Sequence, residues 1–453
     1  MTAIQPPETT KPADARLKAF ERFERAGADR EPSWLFPLRK AGIARFAELG
    51  FPTVKQEAWR FTNVAPMAKL PFKPVFEPAA HSLTPEALSQ FPFAKLPGTR
   101  LVFVDGFYSA ALSAVPAQEG GVRIGSLAAA LAGDFALIEK HLGRHLRAED
   151  NAFASLNNAF FQDGGFIHVP AGCVVRDPAQ FIFVNTRTEA GAVTHPRNMV
   201  LVERDAKLTV IESYVSVAAG PTFTNAVTEF VIGDHAVVEH CKFQDESPEA
   251  YHIAALPSHL GRAVQFASHS IVTGAKLSRN DLRTTLDGEG IECVLNGVYI
   301  TNHDQLSDHY MIVDHAQPRC ASHEYFNGIL AGKSRGVFHG RILVRPGAQK
   351  TDAKQTNKNL LLSDDASADS KPQLEIYADD VKCTHGATLG QLNEESIYYL
   401  RSRGIGLENA RRMLIHAFAG EIIDRVKHDA LREELDALVW DRLEQHEGVT
   451  VGK

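Results

Sequence analysis

Cysteine is scarce and badly spaced for pairing. The five residues, Cys173, Cys241, Cys293, Cys320 and Cys383, stand 68, 52, 27 and 63 residues apart, which excludes a disulfide framework and a Cys-x-x-Cys metal knuckle. In a reducing compartment they are expected as buried free thiols behaving as small apolar side chains. Basic charge is short as well: 48 Lys and Arg stand against 55 Asp and Glu, a formal net charge of -7. No Lys/Arg run of the kind that tracks a phosphate backbone occurs, so nucleic acid is not an expected partner. Eighteen apolar residues never run together, and residues 1–12 lack the apolar core of a signal peptide, which predicts a cytoplasmic, soluble protein with no membrane partner. A serine nucleophile elbow, a Walker-type phosphate loop and a His-Glu-x-x-His helix are all missing, and with them the local signatures of three large enzyme classes.

What is present is enough apolar material, 44% of 453 residues, for a large core and two or three domains. Leu17, Phe20 and Phe23 recur at helical spacing before Gly27, and Ile43, Phe46 and Leu49 do so before Gly50 and Pro52, predicting two amphipathic helices, the second with Gly at its C-cap. Trp59, in Lys55–Thr62, is read as an anchor holding a helical layer to the main body. Leu101–Val104, the turn Asp105-Gly106 and Phe107-Tyr108 predict a hairpin. Ser126 caps an Ala- and Leu-rich helix, and helical spacing continues to about Phe161.

From Phe166 to about Leu392 helical periodicity gives way to short Val/Ile/Phe/Leu runs. Turn signals fall at Asp205, Asp234, Gly261, Glu289, Pro318 and Gly347, spaced 27 to 29 residues apart, with weaker ones midway at Gly220-Pro221, Gly274, Asp304 and Gly332-Lys333. Two strands per repeat and no helix between them predict a parallel β-helix or solenoid. A jelly roll or cupin-like sandwich is the alternative, because spacing does not fix strand direction. The expected organisation is an N-terminal helical region (1–100), a β core (101–392, with a helical insert at about 126–161) and a C-terminal helical domain (393–453). An open solenoid end exposes backbone, and the C-terminal tail is expected to cap it. In that tail Asn393, followed by Glu394-Glu395, starts one helix. After the break at Gly404-Ile405-Gly406, an apolar stripe runs through Leu407, Ala410, Met413, Leu414, Ala417, Phe418, Ile422 and Val426, longer than a cap requires and suited to a partner.

Chemistry concentrates at the end of the β region. Cys383 and His385 lie two residues apart, so on a strand both point to one side and resemble half of a metal site. Four ligands usually close a zinc or iron-sulfur site, and the missing ones must come from elsewhere, another chain included. The stretch His303, His309, His315 and His323 with Asp304, Asp308 and Asp314 has gaps that match no compact metal motif. The adjacent carboxylates Asp364-Asp365 and Asp379-Asp380 point to opposite faces of a strand and read as turn residues.

Four segments carry a likeness to a known family: Gln355–Ser363; Cys383-Thr384-His385-Gly386-Ala387-Thr388; Ser396–Ile405; and Ala417-Phe418-Ala419-Gly420-Glu421-Ile422-Ile423. With Glu57-x-Trp59-Arg60-Phe61-Thr62 near the start, they make the chain resemble the SufB/SufD family of iron-sulfur cluster assembly proteins, and the Cys-x-His-Gly sequence is similar to the SufD branch. The resemblance implies a right-handed parallel β-helix between helical domains, and a non-catalytic scaffold subunit of a SufBCD complex. His385, with Cys383 beside it, would face a SufB subunit at a shared site and serve as a ligand of a transient iron-sulfur cluster. The SufC ATPase would dock on the C-terminal helices, at Leu407, Met413, Leu414, Phe418 and Ile422. A flavin in the assembled complex and pairing of two copies of this chain through the same edge stay open. The alternatives from other classes are a secreted-type β-helix carbohydrate-active enzyme and a cupin-like metal-binding protein built on His303–His323.

Overall fold

The computed structural model describes residues 12–27, 32–133 and 135–445. The sequence-based expectations for residues 1–11 and 446–453, at the outer ends of the two helical regions, lie outside the described residues.

From Lys207 on, strands of about ten residues alternate between two sheets, and each pairs in parallel with the next but one. Lys207–Ser216 pairs with Val237–Asp245 and that with Gln265–Val272, while Phe223–Ile232 pairs with Tyr251–Leu260 and that with Leu277–Leu286. The result is a parallel β-solenoid with one eleven-stranded and one ten-stranded sheet. A jelly roll or cupin sandwich needs antiparallel neighbours, so that alternative is overturned by the pairing.

The turn marks seen in the sequence are one corner of the coil. Asp205, His235, Ala263, Gly290, Arg319 and Lys350 all have positive φ, between 55° and 74°, one per repeat. A left-handed conformation costs a non-glycine residue roughly 1 kcal/mol or more, and the corner offsets it with a rung-to-rung bond. The amides of Asp205, His235, Ala263 and Arg319 each donate to a carbonyl of the following turn, at 2.7–2.9 Å. Inside, alternate residues from both sheets, among them Phe181, Tyr214, Phe230, Phe266, Phe326 and Phe338, form one continuous core.

Both outer faces are covered. Helices Pro12–Gly27, Leu35–Leu49 and Ala152–Phe160 bury Phe20, Phe23, Ile43, Phe46 and Phe153 against Phe223, Tyr251, Ile253 and Leu277 of the eleven-stranded sheet. Trp59 is the expected anchor: the Arg279 guanidinium lies 3.9 Å from its ring centroid, Arg279 is ion-paired with Asp308, and Thr62 Oγ1 donates to Asp308 Oδ2.

The tail departs from expectation. Helices Leu407–Ile423 and Asp429–Gln445 do not cap the coil; they lie on the outer face of the ten-stranded sheet. Ile211, Cys241, Phe243, Ile271, Val298, Ile300, Ile329 and Leu360 make that face apolar, and burying it returns far more than covering one rung's backbone would. Polar ties fix the position: Asn327 Nδ2 donates to Phe418 O at 2.8 Å, and the amides of Lys427 and His428 donate to the Glu239 carboxylate at 2.7 and 3.1 Å. The end of the solenoid is therefore left open.

Candidate site at the open end of the solenoid

The last rung is made by Ser367–Ile376, which pairs with Arg335–Val344, and by Lys382–Gly390, which pairs with Asp352–Leu361. Each is the terminal strand of its sheet, so one edge of each presents backbone donors and acceptors with no neighbouring strand, the arrangement that invites pairing with another chain. From Thr384 to Gly390 every residue is exposed.

Register places the two candidate ligands. Cys383 stands opposite Ala353 and His385 opposite Gln355, and both partners are 1% exposed on the inner face. Cys383 and His385 thus share the inward side, as the two-residue spacing predicts, but their surroundings differ. Cys383 is half-buried against the cluster of Ile342, Val344, Ala348, Ala353 and Ala378. Burial and then the nearby Asp352 raise its thiol above the ordinary range, so at neutral pH it is a protonated, apolar-packed group and a poor ligand as it stands. His385 is exposed at the rim, where an imidazole can supply one metal bond. No group of three His, Cys, Asp or Glu among the described residues is placed to hold a metal ion, so among those residues His385 has no ligand set around it.

Two further polar residues lie behind His385. Gln355 is one rung inward and Glu324 one rung further, and both are buried, at 1% and 0% exposure. Burial pushes the Glu324 carboxyl up to about 8, with the Gln355 side chain pulling the other way, so it holds its proton at neutral pH. Sequence reasoning missed this pair, because a lone Glu on a strand reads as solvent-facing. The signal was its two-residue step from Phe326, a core residue.

The His303–His323 stretch is not a centre. His303 sits in a turn with φ 52°. His309 is buried against Tyr299, with its Nε2 3.0 Å from Ser270 Oγ, and burial lowers it to about 3. His315 Nε2 lies 2.8 Å from Ser322 Oγ, and His323 is on the outer face beside Asp352. Asp308 is held by Arg279 and Asp314 by Arg345 at 2.6 Å. Asp304 faces Lys276 at 3.5 Å, and these members do not converge on a metal-holding group among the described residues. Asp365 and Asp380 face Lys333 and Lys350 in the corner turns, as turn residues do.

On the C-terminal helices the five expected docking residues separate. Ile422 is 2% exposed and belongs to the core beneath the helix, so its role is to hold the helix down. Leu407, Leu414 and Phe418 are half-buried, and Met413 is 41% exposed. The preceding helix Glu394–Ser402, capped by Asn393 Oδ1 accepting from the Ser396 amide at 3.0 Å, adds Tyr398 and Tyr399, both well exposed. The motif Ser396-Ile397-Tyr398-Tyr399-Leu400 was visible in the sequence; that its tyrosines face outward was not.

Comparison with known proteins assigns most of the chain to two family descriptions. Residues 12–181 match the family described as SufBD protein N-terminal region, and residues 183–418 match the SUF system FeS cluster assembly, SufBD core domain. The chain is 31% identical to the iron-sulfur cluster assembly protein SufD of Escherichia coli over 93% of this chain and 95% of the relative. It is also 31% identical to an iron-sulfur cluster assembly SufBD family protein of Synechocystis, over 89% and 90%. With the SufD of Bacillus subtilis the identity is 24%, over 90% and 94%.

Proposed function

The chain belongs to the SufBD family of iron-sulfur cluster assembly proteins, and on that premise we propose that it is a SufD-type, non-catalytic scaffold subunit working in the cytoplasm. Family membership replaces the carbohydrate-active and cupin-like alternatives. In this reading the uncovered strand Lys382–Gly390 pairs with a SufB-type subunit, and His385 supplies one ligand to a transient iron-sulfur cluster completed by that subunit. Cys383 packs beside it and becomes a ligand only if the interface opens. A SufC-type ATPase docks on the C-terminal helices, at Met413 with Leu407, Leu414 and Phe418 around it and Ile422 beneath. Dimerisation of that partner on ATP binding pulls on the helical domains and opens the interface, with ATP hydrolysis supplying the energy. Alone, the same edge can pair two copies of the chain. A flavin in the assembled complex is part of the same reading, at a place to which no residue of this chain is assigned. No described helix is long and apolar enough to cross a membrane.

The observation that carries the reading is an exposed imidazole on an unpaired strand edge, with no metal-holding group around it among the described residues. Co-expression with SufB-type and SufC-type subunits tests it. Wild type is expected to retain both partners through affinity and size-exclusion steps, and Met413→Asp is expected to lower SufC retention about tenfold or more, the loss of one interface anchor. Retention of neither partner by the wild type would overturn the proposal.

A further inference from the structure

Glu324 and Gln355 are buried side by side on adjacent rungs. Neither carboxyl oxygen of Glu324 and neither amide atom of Gln355 has a hydrogen-bond partner. Buried polar groups are almost always satisfied, and orphans mark an absent water, ion or function. Across the interior both side-chain ends pack over Gly340, where only a residue without a Cβ fits: a Cβ there would lie 2.7 Å from Gln355 Nε2 and 3.0 Å from Glu324 Oε2. Glu324, Gln355 and His385 occupy one position on three successive rungs, about 4.8 Å apart. Leu295 lies on the rung behind Glu324, so the polar column ends inward at an apolar side chain and outward at His385 on the uncovered last rung. The thiol of Cys293 also feels Glu324.

The geometry points to an inner cation pocket: we propose that the Glu324 carboxylate and the Gln355 carbonyl oxygen take up a ferrous ion that enters past His385, holding it for the shared edge site. This rests on the scaffold reading above for the identity of the ion. Carboxylate and amide oxygens suit a divalent first-row ion that keeps part of its water shell. Binding exchanges the Glu324 proton for the ion: the O–H bond breaks, an oxygen–iron bond forms, the proton leaves to water, and iron stays ferrous. A carboxyl held protonated by burial leaves the pocket neutral until the ion arrives.

Anaerobic equilibrium dialysis of the metal-free full chain against ferrous iron, with bound iron read by a colorimetric chelator, tests the pocket. Wild type is expected to hold one ion per chain. Glu324→Gln, nearly isosteric, is expected to bind at least about tenfold more weakly. Gly340→Ala, whose methyl would press on both side-chain ends, is expected to do the same, with thermal scans verifying that both variants are folded. His385→Ala is expected to keep the ion. Wild type with no iron above the dialysate, an undiminished Glu324→Gln, or loss of binding in His385→Ala alone would each overturn the pocket. The measurement needs no partner, so its failure is distinct from a failure of co-purification.

Discussion

At pH 8 the Glu324→Gln protein is expected to unfold a few degrees above wild type, and the difference is expected to vanish near pH 4. Burial raises the Glu324 carboxyl from the ordinary carboxylate range to about 8 in the folded chain. Between those two values the native state keeps a proton that the unfolded state releases. Native stability therefore falls as pH rises through that window and levels off above it. Each pH unit is worth about 1.4 kcal/mol, so the accumulated penalty is on the order of 4 kcal/mol. With an unfolding entropy near 2.1 cal/mol/K per residue, a chain of this length shifts by roughly 1 °C per kcal/mol. Glutamine keeps the shape and does not titrate, so its unfolding temperature should follow a flatter pH curve, measurable by scanning fluorimetry from pH 4 to 9. Parallel curves for the two proteins would show that Glu324 is solvated or paired in solution. A group that lowers stability in its own fold is the kind retained for another reason.

Arg197→Met is expected to destabilise the chain by about 3–5 kcal/mol, the usual effect of stranding one member of a buried ion pair. Arg197 is 0% exposed. It is ion-paired with Glu229 and donates through Nη1 to Asn157 Oδ1 at 3.0 Å and Asn158 Oδ1 at 2.8 Å. Glu229 also accepts the Gly143 amide at 2.9 Å. These contacts tie helix Ala152–Phe160 and the turn at Gly143 to the eleven-stranded sheet, so removing the guanidinium leaves a buried carboxylate and two amide oxygens short of donors. Arg197→Lys keeps the charge but cannot span all three acceptors, and its loss should fall between wild type and methionine. Denaturant titration reads the size, and limited proteolysis should show cleavage within residues 12–160 first. A methionine variant within about 1 kcal/mol of wild type would mean the cluster is not a structural tie.

The repeat was legible because its corner demands a rare backbone state. Asp205, Asp234, Gly261 and Glu289 mark in the sequence the corner at which Asp205, His235, Ala263 and Gly290 adopt positive φ. Strand direction was not legible, since alternation has the same period in parallel and antiparallel sheets. Nor was the path of the tail: the stripe from Leu407 to Ile422 announces an apolar face without saying which surface receives it, and the outer face of the ten-stranded sheet was itself known only as alternating residues. The common side of Cys383 and His385 followed from the two-residue period alone. Glu324 and Gln355 were hidden, because their burial depends on rung register and on Gly340 in the opposite sheet, neither of which is local in sequence.

The most direct test of the account is the iron and sulfide content of the complex carrying His385→Ala, after anaerobic reconstitution with SufB-type and SufC-type partners. His385 is exposed, so its removal strands no buried group and should not disturb folding. The account predicts that the variant assembles with both partners as wild type does and retains about a tenth of the cluster or less, the scale of losing one metal-site interaction. A variant complex that holds a full complement of iron and sulfide would contradict it.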